Sequence, residues 1–261
     1  SCHKQDIAFS DSRPKSIGIN GDIGKRNSMP LQNLIWQSSY FRDGGVGNLD
    51  LAALNPIENH LELNESILHI AEKINRTNDY KNLTKRCFQK DTISHRDILE
   101  ALTQFQIQLI SDKSKFDNYL LGKERLNKNE LVGYKLFQRK CGSCHKGVLQ
   151  SDNSFRNNGV YKNDDSDLGL YEITLLDSNK GKFRVPSLRN IELTAPYMHD
   201  GSIKTLEGVL DHYQSGINLS PSLDHSLKNS ISLTALEKKN IISFLHTLTD
   251  FEFISNPRFK P

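Results

Sequence analysis

The stretch Cys141-Gly142-Ser143-Cys144-His145 constrains this chain more than any other. Cys-x-x-Cys-His is the attachment signature of a c-type haem. Two cysteines in one tight turn reach the two vinyl groups on one porphyrin edge, and the histidine that follows offers a ring nitrogen to the iron. In the run before it, residues 129–140, Leu131, Tyr134, Leu136 and Phe137 recur at helical spacing, which predicts a helix delivering the motif. A zinc half-site fits poorly, because no second Cys pair or His-x-His pair lies at ribbon or finger distance. A thioredoxin-like pair fits poorly too, because no strand–motif–helix pattern surrounds it.

A chain of 261 residues is one long domain or two ordinary ones. The net charge of +3 is too small to argue for nucleic acid or an anionic membrane surface. No run approaches the roughly 18 apolar residues that span a bilayer. Because c-type haem is attached outside the bacterial cytoplasm, a leader is expected upstream of Ser1 and the location is expected to be periplasmic.

The chain opens on Ser1-Cys2-His3, which reads as the end of a second Cys-x-x-Cys-His whose first cysteine lies upstream. A Cys-His pair alone carries no weight. It is followed by Ala8-Phe9-Ser10-Asp11 and by the Gly-rich stretch Ile17-Gly18-Ile19-Asn20-Gly21 to Gly24-Lys25-Arg26-Asn27, irregular sequence suited to wrapping a cofactor. Further on stand Tyr40-Phe41-Arg42-Asp43-Gly44, Pro56-Ile57 with Glu62, and Leu188-Arg189-Asn190 followed by Thr194-Ala195-Pro196-Tyr197-Met198-His199-Asp200-Gly201.

In that order, these motifs resemble the bacterial di-haem cytochrome c peroxidases and the related MauG proteins, over essentially the whole chain. The resemblance implies a mainly α fold of two cytochrome-c-like haem domains with long irregular loops. The expected boundary separates an N-terminal peroxidatic domain, residues 1–123, incomplete at its start, from a C-terminal electron-transfer domain, residues 124–261. Two c-type haems are implied. The first is held here through a single thioether at Cys2, or is absent; His3 would be its iron ligand. Cys141, Cys144 and His145 hold the second.

Glu62 is implied as the acid/base that moves a proton between the two oxygens of a peroxide. By sequence alone Glu58 and Glu65 rival it, and His60 is also near. For the sixth ligand of the second haem there are two candidates, Met198 and Tyr213. Tyr213 falls where the peroxidases carry methionine and MauG carries tyrosine, so it is preferred. A phenolate stabilises ferric over ferrous iron, so this haem is expected at lower potential than a Met-ligated one. Arg189 is a candidate for a haem propionate, with an ordinary ion pair as the alternative. Calcium is implied between the domains, on the Asn33 side chain and the carbonyls of Thr194 and Pro196.

Two departures from the family pattern stand out. Arg42 occupies the position of an interhaem tryptophan, and Ala52 stands where MauG-like chains carry a pocket glutamine. Trp36 is expected to be a partly buried packing residue and Cys87 a small packing residue or free thiol. Helices are predicted over residues 66–75, 94–111 and 234–248, the second with Ile98, Leu102, Phe105 and Leu109 on its apolar face. The acidic run from Asp164 to Asp167 lacks EF-hand spacing and reads as a solvated loop.

The implied activity is reduction of hydrogen peroxide to water with electrons from a small c-type cytochrome or similar redox protein. A MauG-like oxidase acting on residues of a partner protein, and an electron carrier without peroxidase activity, are the alternatives. The oligomeric state is open, a homodimer being one outcome.

Overall fold

The computed structural model describes residues 2–162 and 166–260. Residues 2–48 form turns and isolated bridges, pairing Lys4 with Ser10, Ile17 with Ile23, and Tyr40 with Val46. Gly, Asn and Pro keep this stretch from helix formation and let it fold around other elements.

Six helices follow: α1 Leu49–Ala52, α2 Leu54–Glu58, α3 Ile67–Arg76, α4 Asn78–Phe88, α5 His95–Ile107 and α6 Lys115–Leu120. Ser94 and Ser114 begin α5 and α6 with reciprocal capping boxes to Asp97 and Asp117. Each box satisfies N–H groups that a helix start otherwise leaves unpaired. Ile57, Ile67, Ala71, Ile98 and Leu99 form one small core among α2, α3 and α5. The inward face of α5 therefore differs from the predicted one. Ile98, Leu99 and Thr103 are buried, whereas Leu102 and Phe105 are about two-fifths exposed. Helix α5 ends at Ile107, four residues before the predicted end, and Ser111 serves a different purpose described below.

The second half contains α7 Lys128–Lys140, a two-stranded antiparallel pair of β1 Phe155–Arg156 and β2 Phe183–Arg184 with α8 Tyr171–Thr174 between them, then α9 Leu206–Asp211, α10 Ala235–His246 and α11 Phe251–Ser255. Asn127 and Thr234 cap α7 and α10 with the same kind of box. These two helices pack tightly because Gly133 carries no side chain: a Cβ there would lie 1.8 Å from the Asn240 carbonyl oxygen. Around them lies the largest core, with Phe116, Leu136, Phe137, Leu206, Phe244 and Leu245 among its members.

Packing crosses the expected boundary near residue 123 in both directions. Phe116 of α6 sits in the second-half core, and Phe253 and Phe259 return to pack against Phe9, tilted and edge-on. A buried polar network also joins the halves. Asn190 accepts from the Asp250 backbone N–H at 2.7 Å and donates to Ser111 Oγ at 3.0 Å and to Gln32 Oε1. Gln32 donates to the Arg189 carbonyl, and Ser111 Oγ donates to Asp250 Oδ2 at 3.1 Å.

Candidate haem sites and acid/base residue

Helix α7 ends at Lys140 and runs directly into the cysteine motif. The N–H groups of Cys144 and His145 both donate to the Cys141 carbonyl, at 3.2 and 3.0 Å, so one turn gathers both thiols and the imidazole. Imidazole Nδ1 of His145 lies 2.9 Å from the Gln150 carbonyl. A carbonyl can only accept, so Nδ1 carries the proton and Nε2 keeps the lone pair that a metal takes. Burial lowers the His145 pKa, which favours that neutral ring, and burial pushes the Cys141 thiol up to about 12.

The motif opens into a cavity of about 250 Å³, walled on its apolar side by Phe137, Leu206, Val209, Leu210, Ile241 and Leu245. Arg42 and Arg184 line the same cavity. Arg42 donates to the Asn27 carbonyl at 2.9 Å and to Asn27 Oδ1 at 2.6 Å. Arg184 is buried and has no carboxylate partner among the described residues; its guanidinium donates to the Phe41 carbonyl at 3.4 Å. Burial lowers both guanidinium pKa values to about 10, and for Arg42 the charge of Arg184 adds to it. Two neighbouring guanidinium groups, Arg184 buried and Arg42 half-buried, with no ion pair among the described residues are costly unless an anion joins them. An apolar cavity with two thiols and a metal-ready imidazole, edged by two such cations, fits a haem with its propionates.

Arg189, expected at a propionate, is committed elsewhere. It forms a bidentate pair with Asp117 at 2.8 and 2.5 Å and donates to the Val148 carbonyl at 3.0 Å. The ion-pair alternative is the one observed. The sequence marked Arg42 only as a departure from the family pattern and Arg184 not at all, because nothing local marks a cation that awaits an anion.

Both candidate sixth ligands line this cavity. Tyr213 lies beyond α9, in a π-helical segment His212–Gly216. π-segments re-aim side chains and recur at functional sites. Burial pushes the Tyr213 phenol up to about 12, and a side-chain hydrogen bond from Asn158 opposes that rise. Met198 sits in the left-handed region at φ +76°, and its sulfur accepts from Asn158 Nδ2 at 3.4 Å.

At the other end of the chain, His3 repeats the arrangement of His145. Its Nδ1 lies 2.8 Å from the Phe9 carbonyl, across a turn in which Ala8 and Phe9 both have positive φ. The ring is exposed by surface area, yet the protein mass around it lowers its pKa; the Phe9 hydrogen bond and the charge of Glu62 work in the opposite direction. Asn59 Nδ2 donates to Glu62 Oε1 at 2.8 Å, and the Glu62 carbonyl accepts from Ile19 N–H at 2.7 Å. Cys2 is a half-buried free thiol.

Of the rivals to Glu62, Glu65 is held by Lys73 and His69, which bring its pKa down to about 2. Glu58 is exposed and meets the Ile67 N–H at the start of α3 at 3.4 Å. His60 is exposed. Ala52 is buried with Leu34, Tyr40 and Leu49, a packing position rather than a pocket wall.

Asn33 is buried and exchanges both amide ends with the backbone of Ser111, each at 2.9 Å. An amide oxygen has two lone pairs, so one remains for a cation. Thr194 and Pro196 are buried, and no hydrogen bond among the described residues reaches either carbonyl. That donor set is compatible with calcium. Trp36 differs from expectation: it is 53% exposed, on a short 3-10 turn whose buried member is Leu34. Cys87 is exposed on α4, a free thiol rather than a packing residue. Asp164 and Asp165 lie outside the described residues, while Asp167 is buried and takes a bidentate pair from Arg26 at 2.7 Å.

Comparison with known proteins gives consistent results. A family model described as di-haem cytochrome c peroxidase matches residues 1–125. The chain is 31% identical over 251 residues to the methylamine utilization protein MauG of Methylorubrum extorquens, covering 95% of this chain and 71% of that protein. It is 34% identical over 266 residues to the cytochrome c551 peroxidase of Nitrosomonas europaea, covering 100% of this chain and 75% of that one. Among solved structures, a MauG-like protein associated with microbial copper homeostasis matches with a TM-score of 0.89 at 32% identity, covering 100% of this chain and 85% of that chain.

Proposed function

The chain belongs to the family of di-haem cytochrome c peroxidases and MauG proteins and is a peroxidase-type oxidoreductase; from this premise we propose that it reduces hydrogen peroxide to water with electrons from a small c-type cytochrome. When bound, haem supplies the iron that receives the peroxide and stores the oxidising equivalents. Everything else falls to side chains. His145, Cys141 and Cys144 would hold the C-terminal haem, Arg42 and Arg184 would neutralise its propionates, and Tyr213 would be its second protein ligand. His3 and Cys2 would hold the N-terminal haem.

Glu62 would accept a proton from one peroxide oxygen and return it to the departing one. Asn59 holds one carboxylate oxygen at 2.8 Å and so orients the other. The observation that carries this reading is the contrast between neighbouring glutamates: Glu62 is oriented by Asn59 and keeps an oxygen without a salt bridge among the described residues, while Glu65 is locked to Lys73. Calcium bound by Asn33 and the carbonyls of Thr194 and Pro196 would tie the halves beside the C-terminal cavity. A periplasmic location follows from the chemistry of c-type attachment. No helix among the described residues is long and apolar enough to cross a membrane.

The test is peroxide-dependent oxidation of a reduced small c-type cytochrome by the holoprotein, with covalent haem counted by mass. Turnover by protein carrying two haems is expected. No turnover, or one haem per chain, would sink the two-haem peroxidase. Tyr213 in the C-terminal cavity favours a second reading, a MauG-like oxidase of a partner protein. Arg42 at the interhaem position weighs against it. Covalent change in a partner protein, with no cytochrome oxidation, would select that reading.

A further inference from the structure

Arg189 is not spent on Asp117 alone. Both terminal nitrogens lie on the Asp117 carboxylate, which turns Nε onto the Val148 carbonyl at 3.0 Å. Two residues earlier, Ser187 Oγ donates to the Leu149 carbonyl at 2.7 Å and accepts from the Arg189 N–H at 3.3 Å. One short segment therefore grips two successive carbonyls of the loop that follows the cysteine motif. The next carbonyl in that row belongs to Gln150, and it lies 2.9 Å from His145 Nδ1.

That loop does not take its shape from local preference. Gln150 is buried with φ +53°, a left-handed backbone that a glutamine rarely adopts. Its side chain turns back within the loop, Nε2 donating to the Gly147 carbonyl at 2.8 Å. Beyond it, Ser151 Oγ donates to the Val185 carbonyl at 2.7 Å, so the loop and the segment 185–189 are laced together from both sides. Asp117 is itself fixed, because it closes the capping box of α6 with Ser114. A chain of hydrogen bonds thus runs from the start of α6, through Arg189 and the loop, to the imidazole. A carbonyl on Nδ1–H orients the ring and makes it a more basic metal ligand. A more basic ligand favours ferric over ferrous iron.

We propose that Ser187 and Arg189 are positioning residues for the C-terminal haem: with Asp117 behind them, they brace residues 148–150 so that the Gln150 carbonyl stays on His145, and so hold that haem at a lower potential. This rests on the reading of His145 as the haem ligand. It also gives Arg189 a purpose that its ion pair alone does not.

The test uses the holoprotein and reads the midpoint potential of the C-terminal haem by spectroelectrochemistry, with unfolding stability measured beside it. Ser187→Ala removes the donor to Leu149. Arg189→Lys keeps a charge opposite Asp117, but one ammonium cannot reproduce the fork and the Val148 contact together. Each variant is expected to keep the low-spin signal and to shift the midpoint to higher potential, and the double variant is expected to shift it further. Ser187→Thr retains the hydroxyl and is expected to return the wild-type midpoint. Reduced stability with a wild-type midpoint in both Ser187→Ala and Arg189→Lys means that the brace is structural only, and overturns the proposal. Mass analysis of the wild-type peptide carrying Cys141 and Cys144 separates the two layers. No haem on that peptide refutes the site and the brace with it. Haem present there, with unchanged midpoints in the variants, refutes the brace alone.

Discussion

Glutamates 58, 62 and 65 are the same residue type within one short stretch, and their surroundings give them different chemistry. Glu65, held by Lys73 and His69, is too weak a base for proton transfer near neutral pH. Glu65→Gln is therefore expected to leave peroxide turnover within about twofold of wild type, checked by steady-state assay; a loss comparable to a general base, about 10²-fold or more, would contradict that assignment. The Arg189–Asp117 pair is the acid-sensitive contact. Burial alone would raise the Asp117 pKa, but the Arg189 and Ser114 hydrogen bonds outweigh it and hold it below the usual 3.8. A depressed carboxylate contributes stability above its unfolded pKa and loses it as pH falls through the folded value. Asp117→Asn should thus be less stable than wild type at pH 7, and the gap should close below about pH 4 in urea titrations. Equal stability at pH 7 would contradict the pair's importance.

At the scale of elements, the haem-delivering helix was legible in the sequence because its caps and apolar spacing are local. The same holds for α10, with Thr234 and Glu237 at its start. The inward face of α5 was not legible. The helix lies beside α1 and α3 on one side and sends Phe105 toward Phe9 and Phe259 on another, so no single stripe describes it. Nor was the π-segment that carries Tyr213, since a one-residue insertion leaves no trace in hydrophobic spacing. Contact between α7 and α10 depends on Gly133. Gly133→Ala would place a methyl against the Asn240 backbone, which cannot yield as a side-chain tip could. A loss of about 1–3 kcal/mol is expected in denaturant unfolding of the holoprotein; unchanged stability would mean that the helices separate easily.

Across the whole molecule, the two halves are joined by apolar packing that crosses the boundary, Phe116 one way and Phe253 the other, and by a network of buried polar groups. Asn190, Gln32, Ser111 and Asp250 are all fully buried, and each finds partners in the others. Such a network is stabilising only while complete, because each orphaned group costs about 1–3 kcal/mol. Asn190→Leu should therefore lower unfolding stability by at least that amount; a smaller loss would mean that the halves are held mainly elsewhere. The family and its mainly helical fold were legible from the order of motifs, because covalent haem chemistry needs particular residues at fixed spacing. The partners of the arginines were not, because they depend on which distant segments meet. Arg189 looked like an anion site and found Asp117, while Arg184 carried no signal and stands buried without a carboxylate.

The central claim is that peroxide chemistry belongs to the N-terminal site and depends on Glu62. The most direct measurement is the turnover of Glu62→Gln against wild type at equal covalent haem content, with a reduced small c-type cytochrome as donor. The account predicts a loss of about 10²–10⁴-fold in turnover, with the low-spin signal of the C-terminal haem unchanged. Turnover equal to wild type would contradict it.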